Sequence, residues 1–278
     1  PRVMSVYHWS PRLSGAAHRG MTESTTMTDT IRFECTGHIA RLTLNNPAQH
    51  NALGQEQLSA IQASLATLRD DEQARVLIIT GEGDKTFCAG ASLQQLGSGN
   101  LSGDAFQETT DLIAELPIPT ICAISGNVYG GGVELALSCD FRIGIAGSKL
   151  RVPAAAIGLC YPVSGVNRFV ERLGVSAAKR MLLAAEEMQS QTLLEIGFLD
   201  YLVQPAALKD TADQLARDIA ALAPLSVRAM KQIIQQSAAG KLDREYAQGL
   251  AMECLQSADL QEGFAARQEK REPRFQGS

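Results

Sequence analysis

Basic charge is scarce in this sequence: 25 Lys and Arg against 30 Asp and Glu leave a net charge of −5. That balance argues against a sequence-independent grip on nucleic acid or an anionic membrane surface, each of which needs a basic face. No apolar run approaches the length that spans a bilayer. The six cysteines form no C-x-x-C pair and have no histidine at ligand spacing, which argues against zinc. Four of them lie in or beside apolar runs, where a reduced cysteine behaves as a small hydrophobe. The expected compartment is therefore the reducing cytosol. Nor is there an internal repeat.

Residues 1–29 also lack something: sustained periodicity. They are rich in Ser, Thr, Gly and Pro and hold no apolar segment long enough for a secretory signal. An unstructured extension is expected there, with Met21 and Met27 as alternative starts. His8, His18 and the only Trp fall inside it, which makes them poor candidates for chemistry.

What the sequence does have is a large, ordinary core. Its 278 residues are 45% hydrophobic and 20% charged, as in a soluble globular protein. Residues 31–33 and 38–44 alternate apolar and polar positions around Thr36-Gly37 and predict a hairpin. Residues 54–69 carry leucine and isoleucine at helical spacing. Val76–Thr80 predicts a buried strand, 103–115 a helix, and Thr120–Ser125 another buried strand. Strands alternating with helices predict an α/β domain with parallel pairing. From Pro162 onward the pattern is mostly helical, and beyond residue 224 entirely so. Residues 30–223 are thus expected to form the core, and 224–278 a helical region packed on that core or on a neighbouring subunit.

Two glycine corners stand out. Thr120–Ser125 leads through Gly126 to Gly130-Gly131-Gly132 and then to the apolar Val133–Leu137, compact enough for a buried helix. The first turn of a helix has amides without intrahelical acceptors, and glycine lets a ligand oxygen approach them. Glu134 sits in that first turn. The second corner follows Val76–Thr80, where Gly90 lies between Ala89 and Ala91. Two strand-end corners that each present an amide are what an oxyanion hole requires.

KTFCAGASL and AISGNVYGGGVELALSCDFRI together resemble the crotonase (enoyl-CoA hydratase/isomerase) superfamily. LNNPAQHNAL resembles that family's LNRPxxxNAL, and EGFAARQEKREPRFQG its C-terminal EGxxAFxEKRxPxFxG. The resemblance spans roughly residues 31–277. It implies a spiral of ββα units with a C-terminal all-helical trimerisation region, as a homotrimer or dimer of trimers. It also implies acyl-CoA thioester substrates, with coenzyme A as part of the substrate and no separate cofactor. Carried over by position, the amides of Ala91 and Gly131 bind the thioester oxygen. The Ala89–Gly90–Ala91 backbone lies against the adenine. The 46–53 loop, with Ala48, Ala52 and Leu53, borders the coenzyme, and Lys270 and Arg271 reach its phosphates.

Glu134 matches one of the two catalytic glutamates of family hydratases, and its apolar neighbours predict a raised pKa. The second glutamate is absent, because Pro153 is followed by Ala154. One base still suffices to shuttle a proton in a double-bond isomerisation. Tyr161 is the partner worth naming, because methylmalonyl-CoA decarboxylase, a superfamily member, resembles GLCYPVSG in carrying a tyrosine here. The expectations are an enzyme of hydratase/isomerase type acting through a thioester enolate, a decarboxylase of malonyl-type thioesters that uses Tyr161, or a non-catalytic thioester binder. Ser92, where the family usually has Asp, is expected to cap a loop, and Asp140 to fix the turn after the site helix.

Overall fold

The computed structural model describes residues 23–278, and residues 1–22 of the expected extension lie outside them. The chain opens with β1 (Glu23–Thr28), β2 (Ile31–Thr36) and β3 (Ile39–Leu44), then α1 (Gln55–Asp70). β4 (Val76–Gly81), β5 (Thr86–Cys88), α2 (Leu93–Gly97) and α3 (Gly103–Glu115) follow. Next come β6 (Thr120–Ile124), β7 (Asn127–Tyr129) and α4 (Gly131–Ser138), then β8 (Phe141–Ile145), β9 (Lys149–Arg151) and α5 (Val163–Leu182). After β10 (Met188–Gln189), α6 (Ser190–Glu195) and β11 (Tyr201–Val203), the chain is helical through α7 (Leu208–Ala220), α8 (Pro224–Ala238), α9 (Arg244–Gln256) and α10 (Ala258–Glu269).

Three successive turns of chain each lay one strand in a large sheet and one in a small sheet. β4, β6 and β8 enter the seven-stranded sheet, ordered β1-β2-β3-β4-β6-β8-β11, while β5, β7 and β9 enter the four-stranded sheet, ordered β10-β9-β7-β5. Pairing is parallel from β3 to β11 in the first and from β5 to β9 in the second. This is the expected spiral of ββα units, with the helical C-terminal region following it. Both faces of the large sheet are covered, so β4 and β6 read as continuous apolar runs rather than alternating ones. Leu77 and Ile79 point into the main core, and Val76 and Ile78 pack under Leu208, Ala212 and Ala216 of α7. Among the described residues no helix is long and apolar enough to cross a membrane.

Sequence and structure part company at several places. Residues 23–28, expected to be unstructured, form a strand antiparallel to β2. A Thr-rich segment lacks the apolar alternation of a half-buried strand, yet at a sheet edge it still supplies backbone hydrogen bonds. β5 and β7 are three residues each, too short to show a period. α5 runs on through Gly174 with a kink, because that residue takes φ 76° and ψ 165°.

Asp140 does fix the turn after the site helix, by accepting from the Thr120 amide at 2.7 Å and its hydroxyl at 3.0 Å. The sequence did not reveal its third partner. Lys231 Nζ reaches Asp140 Oδ2 at 2.7 Å and the Ile118 carbonyl at 2.8 Å, which ties α8 to the root of β6. Replacing Lys231 by Met leaves both acceptors short of a charged donor. Lys231→Met is expected to lower stability by about 2 kcal/mol in urea titration, the size of a lost charged hydrogen bond in a buried setting.

Candidate active site

The first corner is assembled by backbone. Asn51 is buried and donates to the carbonyls of Glu82 and Thr86, at 3.0 and 2.9 Å, and its Oδ1 accepts from the Asn46 amide at 2.9 Å. That folds the 46–53 loop against the β4–β5 turn. The Leu53 amide then donates to the Gly90 carbonyl, and the Ser92 amide to the Leu53 carbonyl, each at 2.8 Å. This ladder engages Gly90 and Ser92 from one side, so the intervening Ala91 amide turns to the other. Below the corner the Gly90 amide donates to the Cys88 sulfur at 3.3 Å. Burial pushes the Cys88 thiol up to about 12, so it stays protonated.

The second corner enters α4. Gly132 through Ser138 are all buried, as befits a helix apolar on every side. The two corners meet. Gly90 has φ 83°, and a Cβ there would overlap the Gly131 nitrogen and stand 2.9 Å from the Tyr129 carbonyl. Only a residue without a side chain fits that approach. Among the described residues neither the Ala91 nor the Gly131 amide finds an acceptor.

Glu134 is 1% exposed. Its Oε1 accepts from Arg168 Nη1 at 2.9 Å and lies 3.2 Å from Thr110 Oγ1, whose single proton it shares with the Gln107 carbonyl at 2.9 Å. Oε2 has no hydrogen-bond partner. Desolvation raises the carboxyl above its ordinary value, against the opposing pull of Arg168, Thr110 and the Tyr161 hydroxyl. Tyr161 touches the Gly130 carbonyl at 3.4 Å and stands edge-on to Phe169 with ring centroids 5.6 Å apart. Burial, then the Glu134 charge, pushes its phenol well above the ordinary value, so Tyr161 stays protonated. The bare Cα of Gly165 faces both groups: a Cβ would lie 2.8 Å from Glu134 Oε2 and from the Tyr161 ring.

The structure thus brings Ala89, Gly90, Ala91, Gly131, Glu134 and Tyr161 together, with Ala48 and Ala52 on the adjoining loop. The Leu53 side chain is buried in the core, and its backbone holds the corner. Lys270 is exposed at the end of α10 and makes no hydrogen bond to any of these residues. Arg271 is taken up by Glu262 and Glu269. Ser92, expected to cap a loop, caps the helix α2 by accepting from the Gln95 amide at 3.4 Å. A cleft of about 1050 Å³, lined in part by His50, Thr86, Ala89, Leu93, Tyr129 and Pro153, comes within one residue of both glycine corners.

Sequence reasoning missed Arg168, Thr110 and Asp111. The signal was available in α5, where Arg168 sits between the buried Gly165 and the buried Phe169 on the core-facing side. A charge on that face needs a partner.

The family model described as enoyl-CoA hydratase/isomerase matches residues 34–278. The chain belongs to that family. It is an enzyme of the acyl-CoA-processing, enoyl-CoA hydratase/isomerase type. A putative enoyl-CoA hydratase/isomerase, YngF of Bacillus subtilis, is 34% identical over 90% of this chain and 100% of its own. Crotonyl-CoA hydratase of Syntrophomonas wolfei is 32% identical, covering 89% of this chain and 98% of its own. Among solved structures, an enoyl-CoA hydratase/carnithine racemase from Magnetospirillum magneticum superposes with a TM-score of 0.85 at 27% identity, over 92% of this chain and 97% of that one. Within this family's frame Ala154, where a second hydratase carboxylate was sought, presents a buried methyl group.

Proposed function

We propose that this family member moves a proton along the acyl chain of an enoyl-CoA thioester, with Glu134 as acid and base and an enolate as intermediate. The carrying observation is a buried carboxylate, one oxygen unpartnered, three residues into the helix whose first amide meets Gly90. Glu134 takes a proton from carbon, and the C–H electron pair moves through the conjugated system to the thioester oxygen. The amides of Ala91 and Gly131 hold that oxygen, where each donor is worth several kcal/mol to the developing charge. The same carboxyl then returns the proton to a second carbon. With Ala154 in place of a second carboxylate, that position offers no acceptor to orient a water, so double-bond isomerisation is favoured over hydration.

The coenzyme end of the substrate would lie against Ala89, Gly90, Ala48 and Ala52, in or beside the 1050 Å³ cleft. Exposed apolar residues on the C-terminal helices, among them Met230, Ile234, Leu255 and Phe264, would be covered in a homotrimer or dimer of trimers. A malonyl-type decarboxylation is less well supported. The Arg168 cation beside the base, suited to a substrate carboxylate, is already engaged by Glu134, Thr110 and Asp111.

The purified protein, incubated with a panel of enoyl-CoA thioesters in deuterium oxide, is expected to incorporate deuterium and form positional isomers, with little hydrated product. Absence of exchange across the panel defeats the enolate reading and leaves a binder. Release of carbon dioxide from malonyl-type thioesters without such exchange redirects it to decarboxylation.

A further inference from the structure

The two oxygens of Glu134 have unlike surroundings. Oε1 is held by Thr110 from α3 and by Arg168 from α5. Oε2 is buried, makes no hydrogen bond of ordinary geometry, and faces the bare Cα of Gly165 beside the Tyr161 ring, whose hydroxyl pulls on this carboxylate. A buried carboxylate oxygen left without a donor is unfavourable by several times the net worth of a hydrogen bond, so native sites rarely keep one idle.

Arginine commonly meets a carboxylate with two parallel N–H donors. Here it does not. Nη1 goes to Glu134 Oε1 and Thr110 Oγ1, whereas Nη2 is drawn to Asp111 Oδ1 at 2.5 Å. Because the guanidinium is planar, the Asp111 contact fixes its plane and keeps its second nitrogen away from Oε2. A pair that only held α4 to α5 would gain from engaging both Glu134 oxygens. This one engages a single oxygen, and α3 supplies the groups that keep it so.

We propose that Arg168 is a positioning residue for proton transfer. With Thr110 it clamps Oε1, leaving Oε2 as the one oxygen that exchanges protons with the acyl chain, while Asp111 holds the guanidinium in that orientation. The inference rests on Glu134 being the acid/base. In the forward step the C–H proton passes to Oε2 and the electron pair to the thioester oxygen; in the return step the same O–H bond breaks toward the second carbon.

The groups facing Glu134 are Arg168 from α5, Thr110 and Asp111 from α3, and the Tyr161 hydroxyl from the segment before α5. Arg168 favours the carboxylate and Asp111 opposes it, so their removal acts in opposite directions. The test is the pH profile of the deuterium-exchange rate at saturating enoyl-CoA, in the full chain. For Arg168→Met the acidic limb is expected to rise by about one pH unit, a tenfold tighter hold on the proton. Arg168→Lys, which keeps the charge without the fork, recovers part of the shift. Asp111→Asn moves the limb down. Affinity for a non-reacting acyl-CoA stays within about twofold throughout, since each pH unit is only ~1.4 kcal/mol and acts on the base.

Limbs that stay in place in both Arg168→Met and Asp111→Asn, or move the same way, overturn the proposal. Should Arg168→Met fail to fold, Asp111→Asn decides alone, because Asp111 is partly exposed and its loss leaves no buried acceptor. Glu134→Gln separates the two levels. Full exchange in that variant removes both the base and its clamp, whereas a dead variant with unmoved limbs removes only the clamp.

Discussion

Glu134→Gln is expected to slow deuterium exchange about a thousandfold, the middle of the range for removing a general acid/base, while acyl-CoA binding stays near wild type. The amide is the same size as the carboxyl, and its oxygen still accepts from Thr110 and Arg168 at the Oε1 position. What disappears is the proton acceptor at Oε2. In the wild type, exchange should fall as the pH drops through a value above that of a free glutamate, because desolvation raises this carboxyl and only its ionised form takes a proton.

Stability gives a second readout with its own sign. A carboxyl whose folded-state pKa is raised keeps its proton in the folded chain after the unfolded chain has lost it. Stability therefore declines as pH rises from about 4.3, the unfolded glutamate value, through the raised folded value. Glutamine has no such term. The stability difference between wild type and Glu134→Gln is expected to change over that window and to be flat above it, by urea titration at stepped pH. A pH-independent difference would mean that Glu134 titrates normally, and the reason for its raised value would fail with it.

The frame of this site was open to reading because it depends on residues with few substitutes. Gly90 and the run Gly130–Gly132 mark places where backbone approaches backbone, and a carboxylate among Val133, Leu135 and Leu137 is conspicuous in any apolar helix. The missing partner was legible too, as the methyl of Ala154. The tuning shell was not. Thr110 and Asp111 lie more than fifty residues from Arg168 in the chain, and each alone resembles an ordinary helix residue. Leu53 marks the same limit, since a motif gives position along the chain but not whether the side chain or the backbone is used. The fold divides along the same line. β3, β4 and β6 carry five or six residues of pattern, while β5 and β7 are strands only because each pairs with its neighbours in the small sheet.

Gly90→Ala is expected to lower the exchange rate by about 10²–10³, the loss that follows removal of one oxyanion donor. The added methyl has nowhere to go, since it would overlap the Gly131 nitrogen and crowd the Tyr129 carbonyl, both of them backbone. Backbone on both sides of the contact cannot swing aside as a side chain does, so the two corners must separate and their amides no longer meet one oxygen. Gly37→Ala supplies the control. Gly37 has φ 58° and open space around its Cα, in the β2–β3 turn. An alanine there bears the left-handed backbone strain alone, about 1 kcal/mol, and should leave exchange untouched. If Gly90→Ala loses no more activity than Gly37→Ala, the two amides are not acting as a pair. The thioester oxygen would then be held elsewhere. If Gly90→Ala is inactive yet folded, and Gly37→Ala is merely less stable, then it is the close approach of two chain segments, and not strain in general, that the reaction requires.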